Sequence, residues 1–463
     1  MLSRCRSYCR AGLGINAVVL DRQISYCRRV SFERAPTSLG SNRRAAVAWC
    51  VFDWANSSFP TVVLTFVIAT YVTSAVAPSP EVGTVRWGDM LSASSLIIAV
   101  LSPMIGAFSD RTGQRKPLIA ISLAIMACAT AGLWFVEPAP SSLWLALVLV
   151  AIGNIAFEVQ CALYNALLPR VASPERLGLV SGLGWGLGYA GGLVCLGLAL
   201  VVLIQPAVPP FGLDRGSAEH VRAVALLAAG WLVLFALPFF VFVPDAEPVE
   251  QASASSLKAL WQELRAQPGL LRYLLAYMAF TDGLNTLFAF GGIYAAGSFG
   301  MTINDVLLFG IALNATGGLG AAAFALLDDR IGPKRVILIA LSALIVLSVA
   351  LLLVTSATWF WALGLALGAC FGPLQAASRS YLARLAPPSQ RGRLFGSLAL
   401  AGRATAFLGP FLVARVTEVT DSQRLGMSII VGFFCLGLVL MLTTPDARQD
   451  NTRRHKKTQD SGG

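Results

Sequence analysis

The sequence predicts an all-α membrane protein with twelve transmembrane helices arranged as two six-helix pseudo-repeats. Of its 463 residues, 56% are hydrophobic and only 13% are charged, whereas soluble proteins carry about 25% charged residues. The mean hydropathy is +0.69, and apolar runs long enough to cross a bilayer recur along the chain. So few charges could not cover the surfaces of soluble domains, which excludes a soluble protein of two or three domains.

Polar intervals divide the chain into domains. We expect a basic, disordered cytoplasmic arm at 1–44, six-helix bundles at 45–243 and 270–444, a cytoplasmic linker at 244–269 and a disordered tail at 445–463. The Arg-rich arm fits a mitochondrial-type presequence, a disordered arm or an over-long gene start; its lack of an amphipathic pattern disfavours the presequence. The predicted spans, numbered 1 to 12, are 46–76, 88–108, 118–136, 142–166, 180–204, 222–243, 270–295, 303–327, 336–355, 359–381, 394–416 and 425–443.

The distribution of basic residues predicts the orientation in the membrane. Of the 35 Lys and Arg residues, 29 lie in the two tails and in the even-numbered connections, four lie on the opposite side and two lie inside a span. Because Lys and Arg accumulate in cytoplasmic loops, we expect both termini in the cytoplasm. Short loops on the opposite side favour a bacterial inner (plasma) membrane over a eukaryotic organelle.

The two halves repeat one another at a nearly constant offset. Three pairs of polar features recur at this offset, which argues for a duplicated six-helix unit of the kind found in transporters with parallel halves. The paired residues are Asp110 and Asp329 (219 positions apart), Glu158 and Arg379 (221), and Asp53 and Asp282 (229).

Two groups of motifs resemble a known family. Residues 106–116 (GAFSDRTGQRK) resemble the cytoplasmic motif of the major facilitator superfamily, with a weaker copy at 329–335 (DRIGPKR). Residues 53–59 (DWANSSF), 154–169, 181–189 and 375–380 resemble its vacuolar amino-acid effluxer-like (autophagy-related effluxer, UMF) branch. The resemblance implies the major facilitator fold, with helices 1, 4, 7 and 10 lining a central cavity, and founding members of the branch are associated with amino-acid export from the vacuole.

Each of those four helices carries a charge inside the membrane. Intramembrane charges are expensive and usually mark a partner or a solute path. We expect Arg379 to pair with Glu158 or with an aspartate, and a carboxylate freed from such a pair to take up a proton. The predicted substrate and proton cavity comprises Asp53, Asn56, Asn154, Glu158, Tyr164, Asp282, Asn285, Gln375, Arg379 and Arg403.

Two alternatives remain open for these residues. Asp53, Asp282 and Arg379 lie nearer the cytoplasmic ends of their helices than the midplane, so they fit a gate as well as a binding site. Each polar side chain fits an interhelical tie of about 0.6 kcal/mol as well as a contact to a solute. Arg403 could reach an anionic group of a solute or pair with Asp282, and the pair is favoured.

The repeated loops predict a cytoplasmic gating motif. Their Asp and Arg residues are expected to make contacts between helices and with helix ends that stabilise one access state, although the basic residues could instead only fix the topology. The predicted members are Gly106, Asp110, Arg111, Gly113, Arg115, Lys116, Asp329, Arg330 and Gly332.

The sequence contains no motif that indicates an enzyme. No phosphate-binding loop, nucleophile elbow or His-Glu-x-x-His motif occurs, and the nine cysteines and two histidines have no metal-ligand spacing. We expect no enzyme activity, cofactor, metal or disulfide. The expected partners are a small-molecule solute, protons and the lipid bilayer, without nucleic acid and with the protein as a monomer.

The sequence therefore predicts a secondary active transporter, a permease that moves a small polar solute such as an amino acid by alternating access with proton coupling. A non-transporting membrane sensor or scaffold on the same fold is one alternative. A drug or metabolite efflux pump is another, weakened because helix 5 lacks the Gly-Pro pattern of drug/proton antiporters. A membrane-embedded enzyme would need a clustered catalytic set, and none is visible.

Overall fold

The computed structural model describes residues 43–247, 262 and 264–446, and within these residues the regular secondary structure is helical. The predicted arm therefore lies almost entirely outside the described residues, as do most of the linker and of the tail. The helices are α1 Arg43–Val76, α2 Pro80–Thr112, α3 Arg115–Phe135, α4 Leu143–Asn165, α5 Pro174–Ile204, α6 Glu219–Phe242, α7 Pro268–Phe299, α8 Ile303–Ile331, α9 Pro333–Leu353, α10 Ala357–Leu385, α11 Arg391–Thr420 and α12 Gln423–Leu442.

All twelve helices have the length that a bilayer requires. Among the described residues, eleven are also apolar enough to be candidate spans by hydropathy. The remaining helix, α7, has 32 residues, about 48 Å at 1.5 Å per residue, but carries Arg272, Asp282 and Asn285. The prediction of twelve transmembrane helices is confirmed, and these polar residues explain why α7 does not reach the hydropathy of the other eleven.

Several helices extend beyond their predicted spans, and α2 does so through a side-chain cap. The prediction placed span 2 at 88–108, but α2 begins after Ser79, whose side chain accepts a hydrogen bond from the Val82 amide. It ends at Gly113, which has φ of +70°, and the equivalent turn in the second half contains Gly332 at φ +95°. Both positive φ angles favour glycine. The two turns nevertheless differ, because ψ is −1° at Gly113 and +150° at Gly332.

Helices α1 and α11 are irregular near prolines. The regular turns of α1 stop at Asn56 and resume as π-helix at Phe59–Phe66, next to Pro60. In α11 the helix is interrupted at residues 404–407, just before Pro410. Proline has no N–H for the carbonyl four residues earlier, which weakens the helix at both points.

The contacts between helices join the two halves along a shared interface. Within the first half α1 packs on α5 and α6, and α3 packs on α4; within the second half α7 packs on α12, and α8 and α9 pack on α10. Between the halves, α5 contacts α8 and α10, and α11 contacts α2 and α4. This interface encloses the candidate site.

Candidate functional site

A cavity of about 730 Å³ lies between the two halves. Its lining comes from α1, α4, α7 and α10, as predicted, and also from α5, α8, α9, α11 and α12. At one limit lie Asp53 and Arg379, and at the other lie Phe66, Tyr294 and Phe360. We call the end of the molecule that carries residues 106–116 and 329–335 the motif end, and the opposite end the far end.

The floor of the cavity, toward the motif end, is an ion pair between the two halves. Arg379 Nη1 lies 3.0 Å from Asp53 Oδ2, which confirms the prediction that Arg379 pairs with an acidic residue. The same guanidinium donates to Asn165 Oδ1 at 3.1 Å, to Ser181 Oγ at 2.9 Å and to the Ser181 carbonyl at 2.6 Å. Arg379 is therefore held by two N-terminal helices, α4 and α5, as well as by its partner on α1.

Aromatic rings surround this guanidinium. Its central carbon lies 4.6 Å from the centre of the Trp49 ring, 5.7 Å from that of Trp185 and 5.9 Å from that of Tyr164. Trp49 and Tyr164 stack with their ring centres 4.3 Å apart, and the Tyr164 hydroxyl donates to the Trp49 carbonyl. Contacts of this kind stabilise a desolvated cation by about 0.5–2 kcal/mol. Tyr164 thus lines the cavity as predicted and supports Arg379.

A second ion pair joins the halves closer to the far end. Arg403 on α11 pairs with Glu158 on α4. Glu158 precedes Asn165 by seven residues, so this pair lies about 10 Å along α4 from the floor. The Arg403 side chain is 28% exposed, against 5% for Arg379, so the second pair is the more accessible from the cavity.

The two ion pairs place their charges in the same way. Both carboxylates, Asp53 and Glu158, belong to the first half of the chain, and both guanidiniums, Arg379 and Arg403, belong to the second. Each pair is therefore an electrostatic contact between the halves, and separating the halves at the cavity would separate opposite charges.

Uncharged polar groups complete the wall between the pairs. The Asn56 amide donates to Cys161 Sγ at 3.3 Å, and the Tyr189 hydroxyl donates to Gln375 Oε1 at 2.9 Å, joining α5 to α10. Asn285 also lines the cavity. The placement of Asn56, Gln375 and Asn285 agrees with the predicted cavity.

Two predicted cavity residues lie elsewhere. Asn154 points to α2, where its amide donates to Ser94 Oγ at 2.9 Å, so it is an interhelical tie. Asp282 is 2% exposed and accepts from the Thr405 hydroxyl at the interruption of α11, outside the cavity lining. Asp282 directly follows the cavity-lining Thr281. Successive residues of an α-helix point about 100° apart, so Asp282 faces away from the cavity.

The favoured pairing of Arg403 with Asp282 is also wrong, because Arg403 pairs with Glu158. The interruption after Arg403 places Thr405, and not the arginine, against Asp282. In the described part of the chain Asp282 has no ion-pair partner, and its Oδ1 atom has no hydrogen-bond partner.

Three of the residues that hold Arg379 were not predicted from the sequence: Ser181, Trp185 and Trp49. Ser181 and Trp185 lie within the α5 signature that carries the family resemblance, but their contact with α10 joins positions about 200 residues apart. Trp49 precedes the α1 signature by one turn and gave no separate signal.

At the motif end, Asp110 binds the start of α11. Its Oδ1 and Oδ2 atoms accept from the amides of Gly392 and Arg393, each at 2.9 Å, and it also pairs with Arg115. A carboxylate at a helix N-terminus is favoured by the unpaired amides and the helix dipole. This contact links the first half to the second, as the gating motif predicts.

The second half repeats this contact in the opposite direction. Asp329 accepts from the amides of Gly178 and Leu179 at the start of α5, both at 2.8 Å, and pairs with Arg384 at 2.9 Å. The two aspartates thus form a pseudo-symmetric clamp, defined by Asp110 on α11 and Asp329 on α5. The clamp closes the motif end in this structure.

The other predicted members of the gating motif have different roles. Gly113 and Gly332 form the turns already described, and Gly106 meets Gly392 at the closest approach of α2 and α11. Lys116 donates to the Phe240 carbonyl at 2.8 Å. Arg111 and Arg330 are exposed, in keeping with a role in topology.

Glycines allow α5 to approach the floor closely. A Cβ atom at Gly184 would lie 2.5 Å from Asp53 Oδ2 and 2.9 Å from Arg379 Nη2. On the other face of α5, a Cβ at Gly182 would lie 2.5 Å from the Cβ of Ala325 on α8. Packing therefore requires these glycines, as expected for close helix contacts in membranes.

Replacing Gly184 by alanine should displace the floor ion pair. We expect the free energy of unfolding to fall by about 1–3 kcal/mol, as for other overpacked sites. Gly197→Ala is the matched control, because it lies on the same helix and its Cβ would meet nothing within 4 Å. Thermal unfolding of the purified variants measures the difference; equal midpoints for the two variants would contradict the assigned contact.

The fold and the site define a class of protein. The helices match those of the human organic anion transporter MFSD10 with a TM-score of 0.68 at 18% identity, over 86% of this chain and 99% of that one. Two six-helix repeats around a central cavity are the major facilitator fold, and the protein is a multi-pass membrane transporter of the major facilitator superfamily.

Within this superfamily the chain belongs to the family described as "Vacuole effluxer Atg22 like", whose family model matches residues 90–178 and 174–454. It is similar to the "Uncharacterized MFS-type transporter YxiO" of Bacillus subtilis (strain 168), with 26% identity over 411 residues, 86% of this chain and 94% of that protein. It is also 24% identical over 293 residues to "Autophagy-related protein 22" of Cryptococcus neoformans var. neoformans serotype D (strain JEC21 / ATCC MYA-565), covering 58% of this chain but only 48% of the fungal protein.

Proposed function

We propose that this protein is a secondary active transporter that moves a small zwitterionic solute of the amino-acid class by alternating access, coupled to protons. The proposal depends on one observation: two ion pairs join the two halves across the cavity. These are Asp53 with Arg379 and Glu158 with Arg403. A carrier must open each end of its cavity in turn, and these contacts lie where the halves would separate.

The second ion pair, between Glu158 and Arg403, suggests how a zwitterion is bound. The carboxylate of an amino acid can replace Glu158 as the partner of Arg403, while its ammonium group replaces Arg403 as the partner of Glu158. Each buried charge then keeps a partner when the halves move, which avoids the several kcal/mol that an unpaired charge in this site would cost. A solute with only one of the two charged groups would leave one side chain unpaired.

The clamp at the motif end supports alternating access. Closing the far end and opening the motif end would require Asp110 to leave the start of α11 and Asp329 to leave the start of α5. Both contacts are charge-assisted hydrogen bonds to backbone amides, about twice as strong as neutral ones. They therefore favour the state described here.

The arrangement in the membrane follows from the basic residues. We place the motif end and both termini in the cytoplasm of a bacterial cell, with the protein in the inner membrane as a monomer. The two bundles are assigned to 45–243 and 270–444, joined by the linker at 244–269. Arg115 and Lys116, like Arg384, lie at the motif end, in agreement with this orientation.

Asp282 is the carboxyl group best placed to carry the coupled proton. Asp53 and Glu158 each face a guanidinium, whereas Asp282 is buried beside a threonine hydroxyl. A buried carboxyl group without a cation is most stable in its neutral form. Its neighbour Thr405 is two residues from Arg403, so a change of charge on Asp282 would act on the segment of α11 that positions Arg403.

Transport into liposomes tests the proposal. We expect purified protein to exchange a labelled amino acid, and a pH gradient to drive net uptake, while the corresponding amine and carboxylic acid compete at least tenfold less well. Asp282→Asn should keep exchange and lose the response to the gradient. Asp89→Asn, on an exposed pair with Arg86, is the matched control and should retain both.

Each part of the proposal can fail separately in this assay. Equal competition by the single-charge analogues would exclude exchange of ion-pair partners. Gradient-driven uptake by Asp282→Asn would exclude Asp282 as the coupling group, and flux that ignores the gradient in the wild type would exclude proton coupling altogether.

A further inference from the structure

The cavity extends beyond the space between the two halves. Residues on two stripes of α7 line it, and these stripes are about 100° apart around the helix. The first stripe faces the ion pairs, whereas the second turns toward the interior of the second bundle. The first stripe includes Thr281, Asn285 and Phe288, and the second includes Leu287, Gly291 and Tyr294.

The second stripe faces residues of α9 and α12, two helices that the predicted central path does not include. Ser348 and Leu351 of α9 and Met427 and Ile430 of α12 line the cavity on this side. We call the space lined by Tyr294, Ser348, Leu351, Met427 and Ile430 the side chamber. None of these five residues is charged, and all are at most 8% exposed.

Two polar groups in the side chamber are unsatisfied. The hydroxyls of Tyr294 and Ser348 have no hydrogen-bond partner in the described part of the chain, and the residues are 3% and 6% exposed. Buried hydroxyls are normally hydrogen-bonded, because leaving one without a partner costs about 1–3 kcal/mol. Two such hydroxyls in one apolar chamber point to a molecule that supplies their partner.

We propose that the side chamber is a ligand site for an uncharged apolar molecule with one hydroxyl or carbonyl oxygen, which accepts a hydrogen bond from Tyr294 or Ser348. An apolar wall with a few convergent polar groups is the usual composition of a small-molecule site. A charged group is disfavoured, because the five residues that define the chamber carry no charge to pair with it.

This site is separate from the ion pairs. Tyr277, which lies beside Arg403 on the cavity wall, precedes Leu287 by ten residues, a distance of about 15 Å along α7. The rings of Tyr294 and Phe360 have their centres 6.1 Å apart, so an occupant of the chamber would also contact α10 through Phe360. Such a molecule fills space among α7, α9, α10 and α12 and stabilises the bundle in this arrangement.

p-Cresol and toluene are matched probes, because they differ only in the hydroxyl group. We expect p-cresol to raise the thermal midpoint of the purified wild-type protein more than toluene at equal concentration, since binding to the folded state stabilises it. Tyr294→Phe and Ser348→Ala should each weaken p-cresol binding about fivefold, the equivalent of one hydrogen bond, and leave toluene binding unchanged.

Ser102→Ala is the matched control. Ser102 is also a buried serine whose hydroxyl has no partner among the described residues, but it lies on α2 outside the cavity lining. Its replacement should leave the p-cresol shift intact. Asp53→Asn should leave it intact as well, which separates the chamber from the proposed transport site.

Two outcomes would overturn the proposal. Equal shifts for p-cresol and toluene in the wild type would mean that the hydroxyls recognise no ligand, as when water alone satisfies them. Equal effects of Ser348→Ala and Ser102→Ala would mean that the p-cresol site lies elsewhere. Because Ser348→Ala removes a single oxygen, neither result depends on a variant that fails to fold.

Discussion

Replacing Arg379 by glutamine is expected to lower the free energy of unfolding by about 3–5 kcal/mol and to abolish solute exchange. Breaking a buried ion pair by removing one partner leaves the other charge uncompensated. Here it also removes the contacts of the guanidinium with Ser181, Asn165 and three aromatic rings. The measurements are denaturation of the purified protein and exchange of labelled solute in liposomes.

Asp53→Asn should lower the free energy of unfolding by less, because Arg379 keeps its hydrogen bonds to Ser181 and Asn165. The double variant should be more stable than Arg379→Gln alone, since no unpaired carboxylate remains. Arg415→Gln is the control: its pair with Glu418 is exposed, and exposed pairs contribute about 0–1 kcal/mol. Additive effects of Asp53→Asn and Arg379→Gln would show that the two side chains are not coupled.

Gly106→Val is expected to open the motif end. A Cβ atom at Gly106 would lie 2.2 Å from the carbonyl oxygen of Gly392, a contact between the backbones of α2 and α11 that no side-chain rotation relieves. Overpacking of this kind costs about 1–3 kcal/mol, which shifts the balance between access states about 5–150-fold away from this structure. Gly106→Ala should act in the same direction with a smaller effect.

The native Cys161 reports this change, because it lines the cavity. A membrane-impermeant thiol reagent applied from the motif side should label Cys161 faster in Gly106→Val than in the wild type, with the labelled peptide identified by mass spectrometry. Gly230→Val is the control, since a Cβ there would meet nothing within 4 Å. Unchanged labelling in a folded Gly106→Val protein would contradict closure of the motif end by this contact.

Most of the fold could be predicted from the sequence, because each element depends on local physics. Apolar runs of bilayer length predicted the twelve helices, and the repeated loops around Gly113 and Gly332 predicted two related halves. The ends of the helices were less predictable. Ser79 extends α2 through a cap, a contact that hydropathy does not measure.

The candidate site was only partly predictable. Asp53 and Asp282 occupy matching sequence motifs, yet Asp53 lines the cavity and Asp282 faces α11. The two helices differ in the turns that follow: α1 loses its regular hydrogen bonds after Asn56, whereas α7 continues unbroken. Repetition in sequence therefore did not ensure that equivalent residues share one face.

The partner of Arg403 depended on a feature that sequence periodicity does not show. The interruption of α11 at 404–407 turns Thr405 toward Asp282 and leaves Arg403 facing Glu158 on α4. Helical periodicity predicts which residues share a face only while the helix is continuous. Beyond a break it therefore predicts the wrong neighbouring side chains. Pro410 marks this break in the sequence, although the residues that it reorients can be identified only from packing.

The shared polarity of the two ion pairs constrains how the halves can assemble. A first half paired with a second copy of itself would bring carboxylates against carboxylates, and two second halves would leave Arg379 and Arg403 without Asp53 and Glu158. Like charges in such a poorly hydrated seam repel by several kcal/mol. Despite their common architecture, the two bundles are therefore obligate complements: expressed as separate polypeptides, they should recombine as heterodimers and not as homodimers.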